Sequence, residues 1–127
     1  MTLKEVLKSK PSKPITCRIT SLVCDAVTAM DSSNAGSILV LDEKDKIVGI
    51  FTERDIMHCF ATNVSVRYEK IRNVMTPHPV TIESAEDVSA AIKVMSEKKI
   101  RHLPVVEKGK LIGVVSYRYL ASRMLLM

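Results

Sequence analysis

Thr52, Arg54 and Asp55 are residues whose types and spacing could do chemistry. A hydroxyl residue followed three positions later by an acid is the pattern of a capping box, which ties off free N–H groups at a helix start. The same pattern fits a ligand. A helix N-terminus offers free donors and partial positive charge, both suited to phosphate. A carboxylate one turn in can accept both hydroxyls of a ribose diol, and the Thr52 hydroxyl can bond phosphate or ribose. Arg54 is either a solvated surface arginine or a fork of donors for phosphate. The capping and ligand readings do not exclude each other. Other chemistries lack parts. No Ser/His/Asp or Cys/His constellation can be assembled: His58 and Cys59 are neighbours facing different ways on a helix, and His78 lies between Pro77 and Pro79. Neither a P-loop nor a GxGxxG run is present. The three cysteines, Cys17, Cys24 and Cys59, form no CxxC pair, so neither a disulfide framework nor a metal site is expected. Buried free thiols in a reducing cytoplasm are the expectation, and the chain is not expected to be an enzyme.

The phrase that carries these residues is written twice. Gly49–Asp55 reads GIFTERD and Gly113–Tyr119 reads GVVSYRY. The frame is the same: Gly, two apolar residues, a hydroxyl residue, two variable positions and a decisive last one. That last position is Asp55 in one copy and Tyr119 in the other. Tyr119 cannot accept a diol as a carboxylate does, and its ring is bulky. The second phrase, with Ser116 and Tyr119, is therefore expected to form a degenerate site; Tyr117 and Tyr119 offer rings that could stack on a base.

The elements that must position these residues are repeated too. Val23, Ala26, Val27 and Met30 fall on one helical face, and so do Val88, Ala91, Ile92 and Met95, 65 residues later. Each helix leads into an apolar run (Ser37–Leu41, then His102–Val106), a polar turn and a second apolar run, which predicts a β-hairpin twice. The offset then falls to 64, placing one extra residue in the first hairpin turn, where insertions are tolerated. A second helix is expected from about Thr52 and from about Ser116. Thr16 and Thr81 precede the first helix of each copy, and Ser84 with Asp87 is expected to form a capping box opening the second. Even the lead-in repeats, since IRNVM at Ile71–Met75 echoes LKEVL at Leu3–Leu7. Each copy reads strand, helix, strand, strand, helix. The expected division is residues 1–62 for the first repeat with its lead-in, 63–78 for a linker and 79–127 for the second repeat. One copy is too small to bury its apolar faces well, so the two are expected to pack as a pseudo-twofold intramolecular dimer with a cleft between them.

Composition bounds the alternatives. Of 127 residues, 46% are apolar and 26% charged, which suits a folded globular unit and argues against disorder. No apolar run approaches the ~18 residues that span a bilayer, and the N-terminus lacks the apolar stretch of a secretory signal. The chain opens on Met1, the expectation for a complete small protein, and a cytoplasmic location is expected. The net charge of +5 invites a nucleic-acid reading, but basic and acidic residues are interleaved and aromatics are few. A local anionic site, or solubility alone, accounts for the surplus better.

In the order and spacing of GIFTERDIM, VMTPHPVTI and KIRHLPVVEKGKLIGVVS, the chain resembles the cystathionine-β-synthase-type (CBS) domain, and the tandem resembles a Bateman module. The resemblance runs from about Leu3 to about Met124. It implies an α/β fold of two βαββα repeats and an adenosine-containing ligand in the cleft between them: AMP, ADP, ATP, S-adenosylmethionine or NAD(H). It implies Asp55 as the ribose ligand, with Thr52 beside it. Arg101 and His102 match positions that often carry basic phosphate ligands, Arg118 is expected to point toward the same cleft, and Pro79, Val80 and Thr81 match the segment that borders the adenine. Val80 is equally a core strand residue on its own pattern. The resemblance further implies a regulatory role, a homodimer, and signalling through an effector protein or a change of dimer geometry, with no required cofactor. Two rival readings stand beside this one: a dimerising interaction scaffold with vestigial sites, and a weak nucleic-acid binder.

Overall fold

The structure, a computed structural model, describes residues 1–9, 13–62 and 65–125. Asn63 and Val64 of the expected linker, and the last two residues of the expected second repeat, lie outside the described residues. The chain opens with α1 (Leu3–Ser9). The first copy follows as β1 (Thr16–Arg18), α2 (Val23–Ser32), β2 (Ser37–Leu41), β3 (Ile47–Thr52) and α3 (Glu53–Thr62). Two 3-10 turns, Val66–Tyr68 and Ile71–Asn73, lead to a short strand, β4 (Thr76–Pro77). The second copy is β5 (Ile82–Glu83), α4 (Val88–Lys98), β6 (His102–Glu107), β7 (Lys110–Ser116) and α5 (Tyr117–Leu125). Both copies have the strand–helix–strand–strand–helix order that the patterning predicts.

In each copy the first strand pairs parallel with the second, and the second pairs antiparallel with the third. The hairpins share their register: Ser37 faces Thr52, and His102 faces Ser116. Each also has a register shift at the same place, between Val40 and Leu41 and between Val105 and Val106. The helices bury the predicted faces, with Val23, Ala26 and Met30 on α2 and Val88, Ala91 and Met95 on α4. Their starts differ. Leu22 precedes α2 without a side-chain cap. Asp87 caps α4, its carboxylate accepting from the Ala90 N–H at 2.9 Å and the Ser89 hydroxyl at 2.7 Å. This corrects the expected Ser84–Asp87 capping box. The helix begins one turn later than that box requires, so the acid itself holds the cap position. Ser84 is buried and donates to Glu107 at 3.0 Å.

The described chain forms two compact units, residues 15–79 and residues 1–14 with 80–127. Each unit joins the core of one copy to the lead-in of the other. Leu3 and Val6 of α1 lie in the core of Val88, Met95, Leu103, Val105, Val115 and Leu120. Val66 and Ile71 lie in the core of Val23, Met30, Ile38, Val40 and Phe51. The bonds match. The Leu3 N–H donates to the Glu86 carbonyl at 2.8 Å, and the Ile71 N–H to the Ser21 carbonyl at 2.8 Å. Lys4 adds an ion pair with Glu107 at 3.0 Å.

The repeated glycine at the head of each phrase now has a physical reason. A Cβ on Gly113 would lie 2.6 Å from a Leu7 methyl carbon, and one on Gly49 would collide with the Met75 sulfur. Leu7 and Met75 occupy the same place in the two lead-ins. Each glycine leaves room for the lead-in that crosses its strand.

Candidate functional site

The hairpin β2–β3 delivers Thr52 to the start of α3. The Glu53 N–H donates to the Gly36 carbonyl at 3.1 Å and fixes the turn from strand into helix. Thr52 and Asp55 then form the capping box. The Asp55 N–H donates to Thr52 Oγ1 at 3.3 Å, and Asp55 Oδ2 accepts from the Thr52 N–H at 2.9 Å and the Thr52 hydroxyl at 3.1 Å. The capping reading is therefore realised. Its geometry also leaves a carboxylate oxygen, Oδ1, outside the box. Oδ1 accepts the Thr76 hydroxyl at 3.4 Å, near the outer limit for such a bond. Both Thr52 and Asp55 are half-buried, while Arg54 is exposed beside them. One turn on, Cys59 is buried. Burial pushes its thiol up, and the Asp55 charge pushes it further the same way, which keeps it protonated rather than nucleophilic at neutral pH.

The second phrase builds the same turn with other chemistry. Ser116 ends β7 opposite His102, and the Tyr117 N–H donates to the Arg101 carbonyl at 2.8 Å. The Tyr119 N–H donates to Ser116 Oγ at 3.1 Å, the counterpart of the Asp55–Thr52 bond. No carboxylate stands at position 119 to answer it. The Tyr119 ring instead packs against the core of its unit. Arg101 and Arg118 are exposed and His102 is half-buried, and all three sit with Ser116 along the chain at one end of the β6–β7 hairpin. Val80 is half-buried against the same core, and Thr81 is exposed just before β5. Thr52, Arg54 and Asp55 thus belong to the first unit, and the remaining predicted site residues to the second. His58 is exposed on α3, and His78 has a left-handed backbone with φ of 51°.

Thr76 was not among the residues that sequence reasoning selected. Its signal was faint: a threonine before proline in a linker reads as a turn residue. Only its position after the repeated lead-in set it apart. The charge also divides unevenly. Residues 1–14 with 80–127 carry twelve Lys and Arg against six Asp and Glu, whereas residues 15–79 carry seven against eight. The basic surplus of the chain resides in the unit that contains α5. Among the described residues no group of three or more His, Cys, Asp or Glu could hold a metal ion, and no helix is long and apolar enough to cross a membrane.

The two turns, the exchanged lead-ins and the capped Thr–Asp pair describe a known module. The CBS domain matches residues 3–62 and again residues 71–126, and the chain belongs to the CBS-domain family as a tandem pair. Among its relatives is the uncharacterized protein MK0525 of Methanopyrus kandleri, 36% identical over 104 residues, which are 80% of this chain and 53% of that protein. The chain spans about half the length of that curated relative. Among solved structures, the CBS-domain pair of protein MJ0100, in complex with 5′-methylthioadenosine and S-adenosyl-L-methionine, superposes with a TM-score of 0.85 at 28% identity, covering 98% of this chain and 95% of that one. The CBS-domain protein PAE2072 from Pyrobaculum aerophilum, complexed with AMP, matches over 100% of both chains with a TM-score of 0.85. At 20% identity, that second likeness speaks for the fold alone.

Proposed function

We propose that this chain is a regulatory sensor of an adenine nucleotide or adenosine derivative, with one competent site per chain. Asp55 is the ribose ligand, and Thr52 holds it in place. Arg54, Arg101, His102 and Arg118 are assigned to phosphate, and Val80 and Thr81 to the side of the base. AMP, ADP, ATP, S-adenosylmethionine and NAD(H) all present the adenosine that this set would recognise. Occupancy is read by an effector protein or through the geometry of a homodimer. A ligand shifts such an equilibrium only by its differential affinity for the two states.

The observation that carries this reading is the Asp55 carboxylate, held at the start of α3 by two bonds from Thr52 to Oδ2, with the Asp55 N–H donating a third to Thr52 Oγ1, while Oδ1 stays outside the box. The adenosine ligands of the MJ0100 pair support the ligand class. Calorimetry with AMP tests it. Asp55→Ala is expected to weaken AMP by tenfold or more with the fold intact, since hydrogen bonds to a charged group contribute roughly 1.5–3 kcal/mol. Unchanged affinity would reduce Thr52 and Asp55 to a helix cap. Adenosine is expected to bind less tightly than AMP, and added salt to narrow the difference. Equal binding at low salt would overturn the phosphate assignment.

A further inference from the structure

Thr76 lies outside the capping box, yet its side chain reaches the Asp55 carboxylate from the segment that joins the two repeats. Oδ2 of Asp55 already accepts two hydrogen bonds, from the Thr52 N–H at 2.9 Å and the Thr52 hydroxyl at 3.1 Å. A carboxylate oxygen has two acceptor sites, so Oδ2 is filled. The remaining capacity lies on Oδ1, and the Thr76 hydroxyl takes part of it through a bond of 3.4 Å. Such a long bond is weak and readily exchanged.

The segment that carries Thr76 is lightly held. β4 has two residues, pairing with β3 at Ile50–Thr76 and Gly49–Pro77. Pro77 has no N–H to donate. The next tie is the His78 N–H to the Val48 carbonyl at 3.2 Å.

Resting on the assignment of Asp55 to ribose, we propose that Thr76 couples occupancy of that site to the inter-repeat segment. A ribose diol brings two donors, and both must go to Oδ1. Seating the diol therefore displaces the Thr76 hydroxyl, and β4 loses its side-chain tie to α3. By linkage the coupling runs both ways: loosening β4 raises affinity for the diol. A ligand with one hydroxyl needs one acceptor site and leaves the Thr76 contact in place. Thr76 is thus a specificity residue that acts through Asp55, and it reports the diol to the neighbouring repeat's lead-in.

The test is calorimetry of wild type, Thr76→Val, Thr76→Ser and Asp55→Ala with AMP and with 2′-deoxy-AMP. Thr76→Val should tighten AMP by about threefold, the size of one weak hydrogen bond, and leave 2′-deoxy-AMP unchanged. Thr76→Ser should keep the wild-type ratio. Hydrogen exchange at the His78 amide should quicken with AMP in wild type and stay level in Thr76→Val. If Thr76→Val moves both nucleotides equally, or weakens AMP, while Asp55→Ala still weakens it tenfold, the coupling is wrong and the ribose assignment stands. If Asp55→Ala leaves AMP binding unchanged, both fall.

Discussion

The starts of α3 and α5 are the same turn carrying different chemistry. Each follows a hairpin whose last residue is a hydroxyl residue, Thr52 or Ser116, facing Ser37 or His102. In both, the first helical N–H returns to the residue just before the hairpin's first strand, to the Gly36 or Arg101 carbonyl. In both, the hydroxyl accepts from the N–H three residues on. The copies part only at the reply. The Asp55 carboxylate accepts two bonds from Thr52, and Tyr119 turns its ring to the core. The other pair of helix starts reverses the pattern: α4 has its carboxylate cap in Asp87, and α2 has none. Each copy has one helix start at which a carboxylate accepts cap bonds, Asp55 at α3 and Asp87 at α4. Asp87 uses a single oxygen, Oδ1, for both of its cap bonds and lies at the end of a bridge with Thr2. Each acid thus leaves one oxygen outside these bonds, Oδ2 of Asp87 and Oδ1 of Asp55, and Asp55 does so at the end of a hairpin. A repeat can thus hold its strand–helix order constant while placing the capping acid at a different helix start in each copy.

The comparison breaks most sharply on binding. If the two starts differ as described, Asp55→Ala weakens AMP by tenfold or more, whereas Tyr119→Ala changes it by less than about twofold, a difference of over ~1 kcal/mol. Equal losses in calorimetry would mean that both starts hold ribose.

Stability should separate them next. Thr52 takes part in three bonds with Asp55, and Ser116 accepts one from Tyr119. Thr52→Ala is expected to cost about 1–2 kcal/mol and Ser116→Ala about 0.5–1 kcal/mol, within the range for helix caps. Urea unfolding of the two variants checks the order, and a larger loss at Ser116 would contradict it.

Stoichiometry sharpens the comparison further. Wild type should saturate near one AMP per chain. Tyr119→Asp should add a second, weaker site, because it supplies the carboxylate while the surrounding walls still fit a ring. Saturation of wild type at two equivalent nucleotides would make the difference between Asp55 and Tyr119 a silent one.

The smallest effect is on pH dependence. Lys4, then Ser84, hold the Glu107 carboxyl below its usual range, and the bonds from Ala90 and Ser89 do the same for Asp87. A depressed folded pKa contributes stability that is present above the unfolded value and lost as pH falls through the folded one. The melting temperature should therefore drop as pH falls below the ordinary carboxylate range near ~4. Glu107→Gln should flatten that drop. An unchanged slope would remove the Lys4–Glu107 pair as a tie between α1 and β6.

Much of this was legible in the sequence. Val23, Ala26 and Met30, and their partners 65 residues on, declare a helix face because a 3.6-residue period is a local property. The hairpins, the extra residue in the first turn and the Thr52–Asp55 box are also short-range, set by residues within a few positions of one another. The Ser84–Asp87 box misled for the same reason. Its residues fit the pattern, but buried Ser84 found a partner in Glu107, 23 residues away, and the helix began at Val88. Tertiary structure decided what no local pattern could. The lead-ins LKEVL and IRNVM are alike, so either could cover either core as far as sequence shows. Burial is non-directional, and its largest gain goes to whichever apolar face fits a given cavity. Packing sends Leu3, Val6 and Leu7 to the second copy and Ile71 and Met75 to the first. That exchange brings Thr76 within 3.4 Å of Asp55, a contact between residues 21 apart that arises only once β4 lies along β3.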